Sequence, residues 1–317
     1  MLYRVETPRI AEPVRAALQS GRPVVALEST IIAHGLPRPR NLAAARDFEE
    51  RLRHLGVVPA TVAVLDGVVC VGLSADELQR VAEDDDMVKV SVRDLPVVVA
   101  TRRCGATTVA ATAHLARRAG IRVFATGGLG GVHRLAAQTF DESADLTTLA
   151  QTTITVVSAG VKSILDVPAT LERLESLGVT VVGWRTRQFP GFWITDSGSS
   201  LDWSVPDAAT VAEVMAAGDA LGRSGAILVA NPLPVAEQLD PQLHDRALAE
   251  ALDAAERRGL RGKAVSPFLL GAMVAATKGA SLEVNLALAA HNVDLAGDIA
   301  VAWARLQSAT SAGPTAT

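Results

Sequence analysis

Lys162 is the residue whose setting points most directly to covalent chemistry. It lies in TITVVSAGVKSILD, directly after a β-branched run that predicts a strand and at the predicted start of a helix. In open α/β folds, ligands collect where the strands end. A lysine that is partly desolvated by apolar neighbours more readily becomes the neutral amine that attacks a carbonyl. The alternative is an exposed lysine that begins a helix, and position alone leaves both interpretations open.

A group of carboxylates precedes this lysine in the stretch TFDESADL. Asp141, Glu142 and Asp145 are hard oxygen donors at a spacing that suits Mg²⁺ or Mn²⁺, especially where a phosphate or a sugar supplies further oxygens. Helix capping is the alternative, because Asp145 stands just before LTTLAQ and can serve as its N-cap. The similar stretch GLSADEL, in which Ser74 and Glu77 match a capping box, is assigned to structure.

The glycine-rich segment ATGGLGGVHR follows another predicted strand and ends in His133 and Arg134. Glycines expose backbone N–H groups and allow close approach, while a histidine and an arginine suit a phosphate or a sugar hydroxyl. The spacing is not the GxGxxG of dinucleotide sites. A flexible turn remains the alternative.

Glu28 ends the first predicted strand, in VVALESTIIAHGLPRPRN, where an acid can act as a proton donor. A solvated glutamate at a strand end is the commoner arrangement. However, a charged residue between Leu27 and Ser29 in an apolar strand needs a partner. The sequence therefore predicts a catalytic acid here but does not exclude a solvated one.

Two further polar residues carry no function that the pattern alone reveals. Lys89 alternates with valines in MVKVSVRDLP, which is typical of the solvent-facing side of a strand. Asn285 stands in an Ala-rich helical segment, where an amide is most often a satisfied internal polar group. No GxSxG segment accompanies the serine and threonine residues, which argues against a serine hydrolase.

The elements that must position these residues form a regular alternation. Short β-branched runs precede Ala/Leu-rich helical segments, as in PVVALEST before NLAAARDFEERLRHLG and TVAVLDGVVCVG before SADELQRVAE. This order predicts an α/β fold of three layers, α/β/α, with a largely parallel or mixed central sheet. From Ser266 the C-terminal third is predicted to be helical. We expect one domain over residues 1–307 and a flexible tail over 308–317.

Composition limits the classes of function. The 317 residues are 49% hydrophobic, enough for a large core, and 30 basic against 34 acidic residues provide no positive field for a nucleic acid polymer. Cys70 and Cys104 lack CxxC spacing, which disfavours a zinc site or a disulfide framework. The N-terminal segment has no apolar signal core, and no run of about 18 apolar residues follows. We therefore expect a soluble cytoplasmic protein that binds no membrane.

Several long segments together resemble the pseudouridine-5′-phosphate glycosidase family. They are ALESTIIAHGLPRPRN, VKVSVRDLP, GATTVAATAHLARRAGIRVFATGGLGGVHR, TFDESADL, VSAGVKSILDVPATLERLESLGV and the NPLP segment. They occur in the same order over nearly the whole chain, which is far more specific than any one motif. This resemblance, rather than composition or periodicity, supplies the expected substrate, a small nucleotide.

The resemblance also implies roles for individual residues. It makes Lys162 the nucleophile that forms a covalent adduct at C1′ of the opened ribose, and Glu28 the proton donor. It places Asp141 at one Mn²⁺ ion per subunit, for which Mg²⁺ can substitute, and it implies a homotrimer. Glu142 is a local departure from the family pattern, a charge beside the metal position. The implied substrate-binding residues are Lys89, Val109, His133, Ser143, Ala144, Asp145 and Asn285.

The expected reaction is reversible cleavage of the carbon–carbon glycosidic bond, yielding uracil and ribose 5-phosphate. Such a bond has no leaving oxygen or nitrogen to protonate, so ordinary two-carboxylate hydrolysis is unsuited. Two other hypotheses remain: a class I aldolase-like lyase acting on a sugar phosphate, and a non-catalytic sugar-phosphate-binding protein. A metal requirement and a pyrimidine product would separate the first from the glycosidase, and turnover would exclude the second.

Overall fold

The computed structural model describes residues 7–261 and 265–311. Its strands form one central sheet. The strand bounds are β1 Arg9–Ile10, β2 Val24–Leu27, β3 Val58–Leu65, β4 Val68–Val71, β5 Val88–Val90, β6 Gly105–Thr107, β7 Val123–Ala125, β8 Thr155–Ser158, β9 Thr180–Trp184, β10 Ser204–Val205 and β11 Ile227–Ala230.

Helices cover this sheet, as the alternating pattern predicts. The helix bounds are α1 Glu12–Gln19, α2 Arg40–His54, α3 Ala75–Glu83, α4 Leu95–Ala100, α5 Val109–Ala119, α6 Ala136–Thr139, α7 Ala144–Ala150, α8 Val167–Ser176, α9 Ala208–Ala220, α10 Pro241–Arg257, α11 Val265–Ala276 and α12 Ala280–Ser311. A π-helical turn covers Ile31–Gly35, and 3₁₀ turns cover Val92–Asp94 and Val235–Glu237.

The central strands are parallel and buried. The main path of the sheet runs β1-β4-β3-β2-β7-β8-β11-β9-β10, with β6 beside the second half of β3 and β5 beside β6. Every residue of β2 and of β8 is buried, because helices cover both faces of a parallel sheet. Antiparallel pairing occurs only where β3 meets β4 and β6, among the strands that the structure describes. The predicted largely parallel or mixed sheet is confirmed.

The helices pack in two groups, which confirms the predicted layers. The long helix α12 contacts α2 and α9 and lies against β2, β7 and β8, whereas α5 contacts α7 and packs against β2, β3 and β4. One large apolar cluster fills the interior, with Phe124, Val157 and Val229 from the sheet meeting Ala113 of α5 and Ile299 of α12. The helical C-terminal third is also confirmed, since α11 and α12 account for it.

Three local differences from the expectations have physical causes. The run TVAVLDGVVCVG is an antiparallel hairpin, because Asp66 and Gly67 adopt left-handed φ angles of 51° and 81° between β3 and β4. Lys162 precedes α8 rather than starting it, because Asp166 is the N-cap and accepts from the Ala169 amide at 3.0 Å. The predicted tail begins as helix, since α12 continues to Ser311.

Some predictions fall wholly or partly outside the described residues. Residues 1–6 and 262–264 of the predicted domain lie outside them, as do residues 312–317 of the predicted tail. The single domain over 1–307 stays a prediction. In the portion of the chain that the structure covers, no single helix has the length and apolar character to cross a membrane. Helices α11 and α12 would meet that test only as a pair, and they are bent by 116° to one another.

Candidate active site

The carboxyl ends of four neighbouring parallel strands bring the predicted chemical residues to one edge of the sheet. Leu27 of β2 pairs with Ala125 of β7, and Ala125 pairs in turn with Val157 of β8. The next residue of β8, Ser158, pairs with Ala230 of β11. The segments that follow these strands carry Glu28, Thr126, Lys162 and Asn231. Ligands of open α/β sheets bind in the crevice outside such strand ends. The edge is therefore the candidate active site.

Glu28 is a buried carboxylate held by hydroxyl groups. Only 7% of the residue is exposed, so it is not the solvated glutamate that the sequence left open. The Thr30 hydroxyl donates to one carboxylate oxygen, and the Thr126 hydroxyl donates to the other. No ion pair to Glu28 forms within the described parts of the chain. Its two partners are therefore neutral hydroxyl groups rather than a cation, and they fix the orientation of the carboxyl group.

The glycine-rich segment is an ordered platform rather than a flexible turn. The Leu129 amide donates to the Gly160 carbonyl at 2.9 Å, and the Lys162 amide donates back to the Leu129 carbonyl at 3.1 Å. These bonds form a short parallel bridge between the glycine loop, residues 127–131, and the segment that carries Lys162. A Cβ on Gly128 would lie 2.6 Å from the Phe192 ring. Glycine is therefore required here for close approach.

Lys162 directly follows this bridge. The residue is half-buried, and its ammonium group makes no hydrogen bond or ion pair with any side chain in the described ranges. A lysine in an ion pair would need that pair broken before it could attack a substrate. Lys162 is thus available to react, and its backbone is fixed by the glycine loop.

Asp145 connects the glycine loop to a second helix. It is 6% exposed, and its two oxygens accept from the Gly130 amide at 2.8 Å and the Ala110 amide at 2.9 Å. It does not cap its own helix, because Ser143 is the N-cap of α7 and accepts from the Asp145 amide at 3.2 Å. The N-terminus of α5 and the loop amides instead stabilise the Asp145 charge.

Asp141 and His133 lie close together in the lining of one cavity. The His133 amide donates to the Asp141 carbonyl at 3.0 Å, and His133 Nδ1 lies 3.8 Å from Asp141 Oδ2. Glu142 is engaged elsewhere, since Arg173 Nε donates to it at 2.9 Å. Both Asp141 and His133 line a cavity of about 790 Å³, whose described lining does not include Glu28 or Lys162. Ile164, two residues after the lysine, does line it.

Three further predicted substrate residues, Val109, Asn285 and Lys89, lie on α5, α12 and β5. Val109 is the buried first residue of α5, next to the amide that binds Asp145. Asn285 Oδ1 would lie 3.5 Å from a Cβ built on Gly127, so this amide reaches the start of the glycine loop. Lys89 is exposed on β5. Burial, and secondly the Lys89 charge, lower the pKa of His34 in the π-helical turn after Glu28.

Several residues of this edge were not predicted from the sequence. Thr126 directly follows β7, and Asn231 directly follows β11, so their positions after predicted strands were the available signal. Asn292 in α12 is fully buried and donates to the carbonyls of Thr126 and Gly127. A second hydrogen-bonded pair lies beside the lysine, where Ser163 Oγ is 2.8 Å from His244 Nε2. The sequence gives no local indication of either contact.

The chain belongs to the family described as "Indigoidine synthase A like protein", whose model matches residues 13–302. A solved indigoidine synthase A-like protein from Thermotoga maritima is 36% identical. It superimposes with a TM-score of 0.86, covering 96% of this chain and 100% of the other. Fold and sequence thus assign the same family.

Curated relatives indicate which member of the family this chain resembles. A pseudouridine-5′-phosphate glycosidase of Frankia alni is 62% identical over 93% of this chain and 82% of its own length. One from Salinispora tropica is 62% identical over 93% of this chain and 91% of its own length. The prealnumycin C-glycosynthase AlnA, solved in complex with ribulose 5-phosphate, is 35% identical. Its TM-score is 0.89, covering 96% of this chain and 99% of that chain.

Proposed function

We propose that this protein is a pseudouridine-5′-phosphate glycosidase that reversibly cleaves its substrate to uracil and ribose 5-phosphate. The observation that carries the proposal is that Thr126 and the glycine loop after it link a buried acid, Glu28, to the backbone of Lys162, a lysine without an ion pair in the described ranges. The whole chain is also 62% identical to two relatives named pseudouridine-5′-phosphate glycosidase. The reaction class follows from this combination, since an acid and an amine can together open a sugar ring and form an adduct.

The chemistry assigns a role to each group. Glu28 donates a proton to the ring oxygen as the ribose opens, and the Lys162 amine adds at C1′. The lysine nitrogen then gives up a proton and its lone pair expels C5 of uracil, so the C1′–C5 bond breaks, C5 takes up that proton, and C1′ remains bound to the lysine as an iminium. Water adds to this iminium and releases ribose 5-phosphate, which restores the amine and returns a proton to Glu28. Covalent catalysis thus divides one difficult cleavage into easier steps.

The direct test is uracil release from pseudouridine 5′-phosphate, followed by chromatography. We expect stoichiometric uracil and ribose 5-phosphate, and pseudouridine 5′-phosphate from the two products in the reverse direction. A protein that binds the nucleotide without turnover would support a binding function instead. Cleavage of other sugar phosphates without any uracil chemistry would support the aldolase-like alternative.

The residues around the loop are proposed to bind the substrate. Support comes from their place at the strand edge: Asp145 contacts the loop directly, and Asn285 reaches its first glycine. With only 3% aromatic residues, the uracil is better held by amide and backbone hydrogen bonds than by aromatic stacking. The proposed set comprises Lys89, Val109, His133, Ser143, Ala144, Asp145 and Asn285.

A divalent cation fits the Asp141 side of the site as a water-rich complex. No group of three His, Cys, Asp or Glu side chains suited to a metal occurs in the ranges described, so a cage made only of protein ligands does not fit. Asp141 does fit a hard cation, because Mg²⁺ and Mn²⁺ often bind through one or two carboxylates, waters and substrate phosphate oxygens. We propose Mn²⁺ at Asp141, where it would neutralise substrate charge, with Mg²⁺ as a substitute.

Replacing Asp141 with asparagine should therefore raise the Mn²⁺ concentration needed for half-maximal activity by about tenfold or more. The amide keeps the size of the side chain but loses the charge that binds the cation. Uracil release titrated with Mn²⁺ after chelator treatment measures the change. Glu142→Gln is the matched control, since Glu142 is already paired with Arg173. Equal Mn²⁺ dependence of wild type and Asp141→Asn would remove Asp141 from the metal.

We also propose an assembly and a location for the protein. Sequence and family suggest a homotrimer in the cytoplasm, acting on a small nucleotide and not on a nucleic acid polymer or a membrane. The net charge of −4 supports the exclusion of a polyanionic partner. The small residues of α11 and α12 support close packing between subunits.

A further inference from the structure

A buried amide in α12 is fully engaged at the start of the glycine loop. Asn292 is 0% exposed. Its Nδ2 donates to the Thr126 carbonyl at 2.8 Å and to the Gly127 carbonyl at 3.2 Å, while its Oδ1 accepts from Asn231 Nδ2 at 3.0 Å. Carbonyl oxygens can only accept, which fixes the orientation of the amide. Both N–H groups and the oxygen of Asn292 are thereby used.

Thr126 connects this amide to the proposed acid. Its hydroxyl donates to Glu28, and its amide donates to the Val157 carbonyl of β8 at 3.0 Å. The Thr126 backbone is therefore held from one side by the sheet and from the other by Asn292. A threonine that turned or moved would carry its hydroxyl away from the carboxylate. Asn292 thus acts on Glu28 through one intervening residue.

The same loop reaches the proposed nucleophile. Two residues beyond Gly127, Leu129 exchanges backbone hydrogen bonds with Gly160 and Lys162. Asn231 directly follows β11. Its backbone amide donates to the carbonyl of Ser158 at 2.8 Å, and Ser158 is the last residue of β8, the strand before Lys162. The asparagine pair therefore joins α12 and β11 to both reacting groups. A misplacement of about 1 Å in such a site can cost about 10²-fold in rate.

We propose that Asn292, oriented by Asn231, is a positioning residue that sets the distance and angle between Glu28 and Lys162. The inference rests on the proposed function, because the acid and the nucleophile have those roles only in that reaction. Neither amide is among the residues proposed to bind the substrate. A positioning role also accounts for a polar pair in an otherwise apolar helix–sheet contact, where two apolar side chains would pack without a desolvation cost.

Asn292→Leu tests the proposal, since leucine has a similar size and no hydrogen bonds. We expect kcat to fall about 10- to 100-fold while KM stays within about threefold. Leu295→Ala is the matched control, a destabilising change at a buried position of the same helix, and it should leave kcat near wild type. The double variant with Thr126→Val should lose no more than the worse single variant, because both changes break one chain of contacts. Multiplied losses would overturn the inference.

Hydrogen exchange supplies a readout that does not depend on activity. The Leu129 and Lys162 amides should exchange about tenfold faster or more in Asn292→Leu than in Leu295→Ala, since the loop loses its anchor. If Asn292→Leu does not fold, Asn231→Ala should give smaller changes of the same kind. A wild type without uracil release would refute the proposed function, while exchange would still decide whether Asn292 orders the loop. Unchanged exchange and kcat in both variants would refute the positioning role.

Discussion

Lys162→Ala is expected to abolish uracil release, with kcat lowered by roughly 10⁴-fold or more, as for other covalent nucleophiles. The variant removes the amine that would bind C1′, and no neighbouring lysine is held at the glycine loop in the described ranges. The fold should survive, because the Lys162 side chain makes no ion pair within the described parts of the chain. Single-turnover kinetics with pseudouridine 5′-phosphate would measure the loss.

Two controls separate nucleophilic chemistry from charge. Lys162→Arg keeps a positive charge but cannot form an iminium, so it should be as inactive as the alanine variant. Lys278→Ala changes an exposed lysine between α11 and α12 and should retain activity. Borohydride reduction with ribose 5-phosphate should add the mass of the sugar phosphate less one oxygen atom to wild type and to Lys278→Ala, but to neither Lys162 variant. Substantial turnover by Lys162→Arg would show that Lys162 supplies charge rather than a covalent bond.

Glu28→Gln should lower kcat by roughly 10²- to 10⁴-fold, the usual contribution of a positioned general acid. Glutamine keeps the length of the side chain; one of the two threonine hydroxyls can still donate to its oxygen, and the other can accept from its NH2 group. It cannot, however, supply a proton to the ring oxygen. The ratio of kcat values, together with a similar unfolding midpoint, would distinguish lost chemistry from lost structure.

Glu49→Gln provides a matched comparison for this acid. Glu49 is likewise a buried glutamate, 6% exposed, that accepts from the Thr61 hydroxyl at 2.7 Å, but it lies on α2 and pairs with Arg53. Its replacement should affect stability more than kcat. If Glu28→Gln retained wild-type kcat while Glu49→Gln lost it, Glu28 could not be the donor.

Local pattern was sufficient to predict the strand ends and therefore the positions of Glu28 and Lys162. Glu28 and Lys162 follow β-branched runs that bury completely, and parallel strands bring such ends together. The hairpin between β3 and β4 also had a local signal, because Asp-Gly favours a turn with left-handed φ angles. The apolar pattern continues on both sides of the turn, so the two strands resemble one run in the sequence.

Local pattern failed where a side chain serves a distant element. Asp145 looks like the cap of the helix that it precedes, yet it binds the α5 N-terminus and the glycine loop. A helix needs only one nearby side chain as its N-cap, and Ser143 serves α7 in this way. Asp145 is therefore available for a contact with a distant part of the fold. The spacing of these residues in the sequence does not indicate which of them caps α7 and which contacts the glycine loop.

The sequence by itself determined the alternation of strands and helices, the apolar runs that become central strands, and the order of the chemical residues along the chain. These follow from periodicity, propensity and turn residues, which act over a few positions. Only the tertiary structure decided that Thr126 and Thr30 hold Glu28, and that Asn292 reaches the loop from α12. Those contacts depend on strand order and on how a distant helix lies across the sheet. Both arise from packing the whole chain at once, so no short stretch of sequence specifies them.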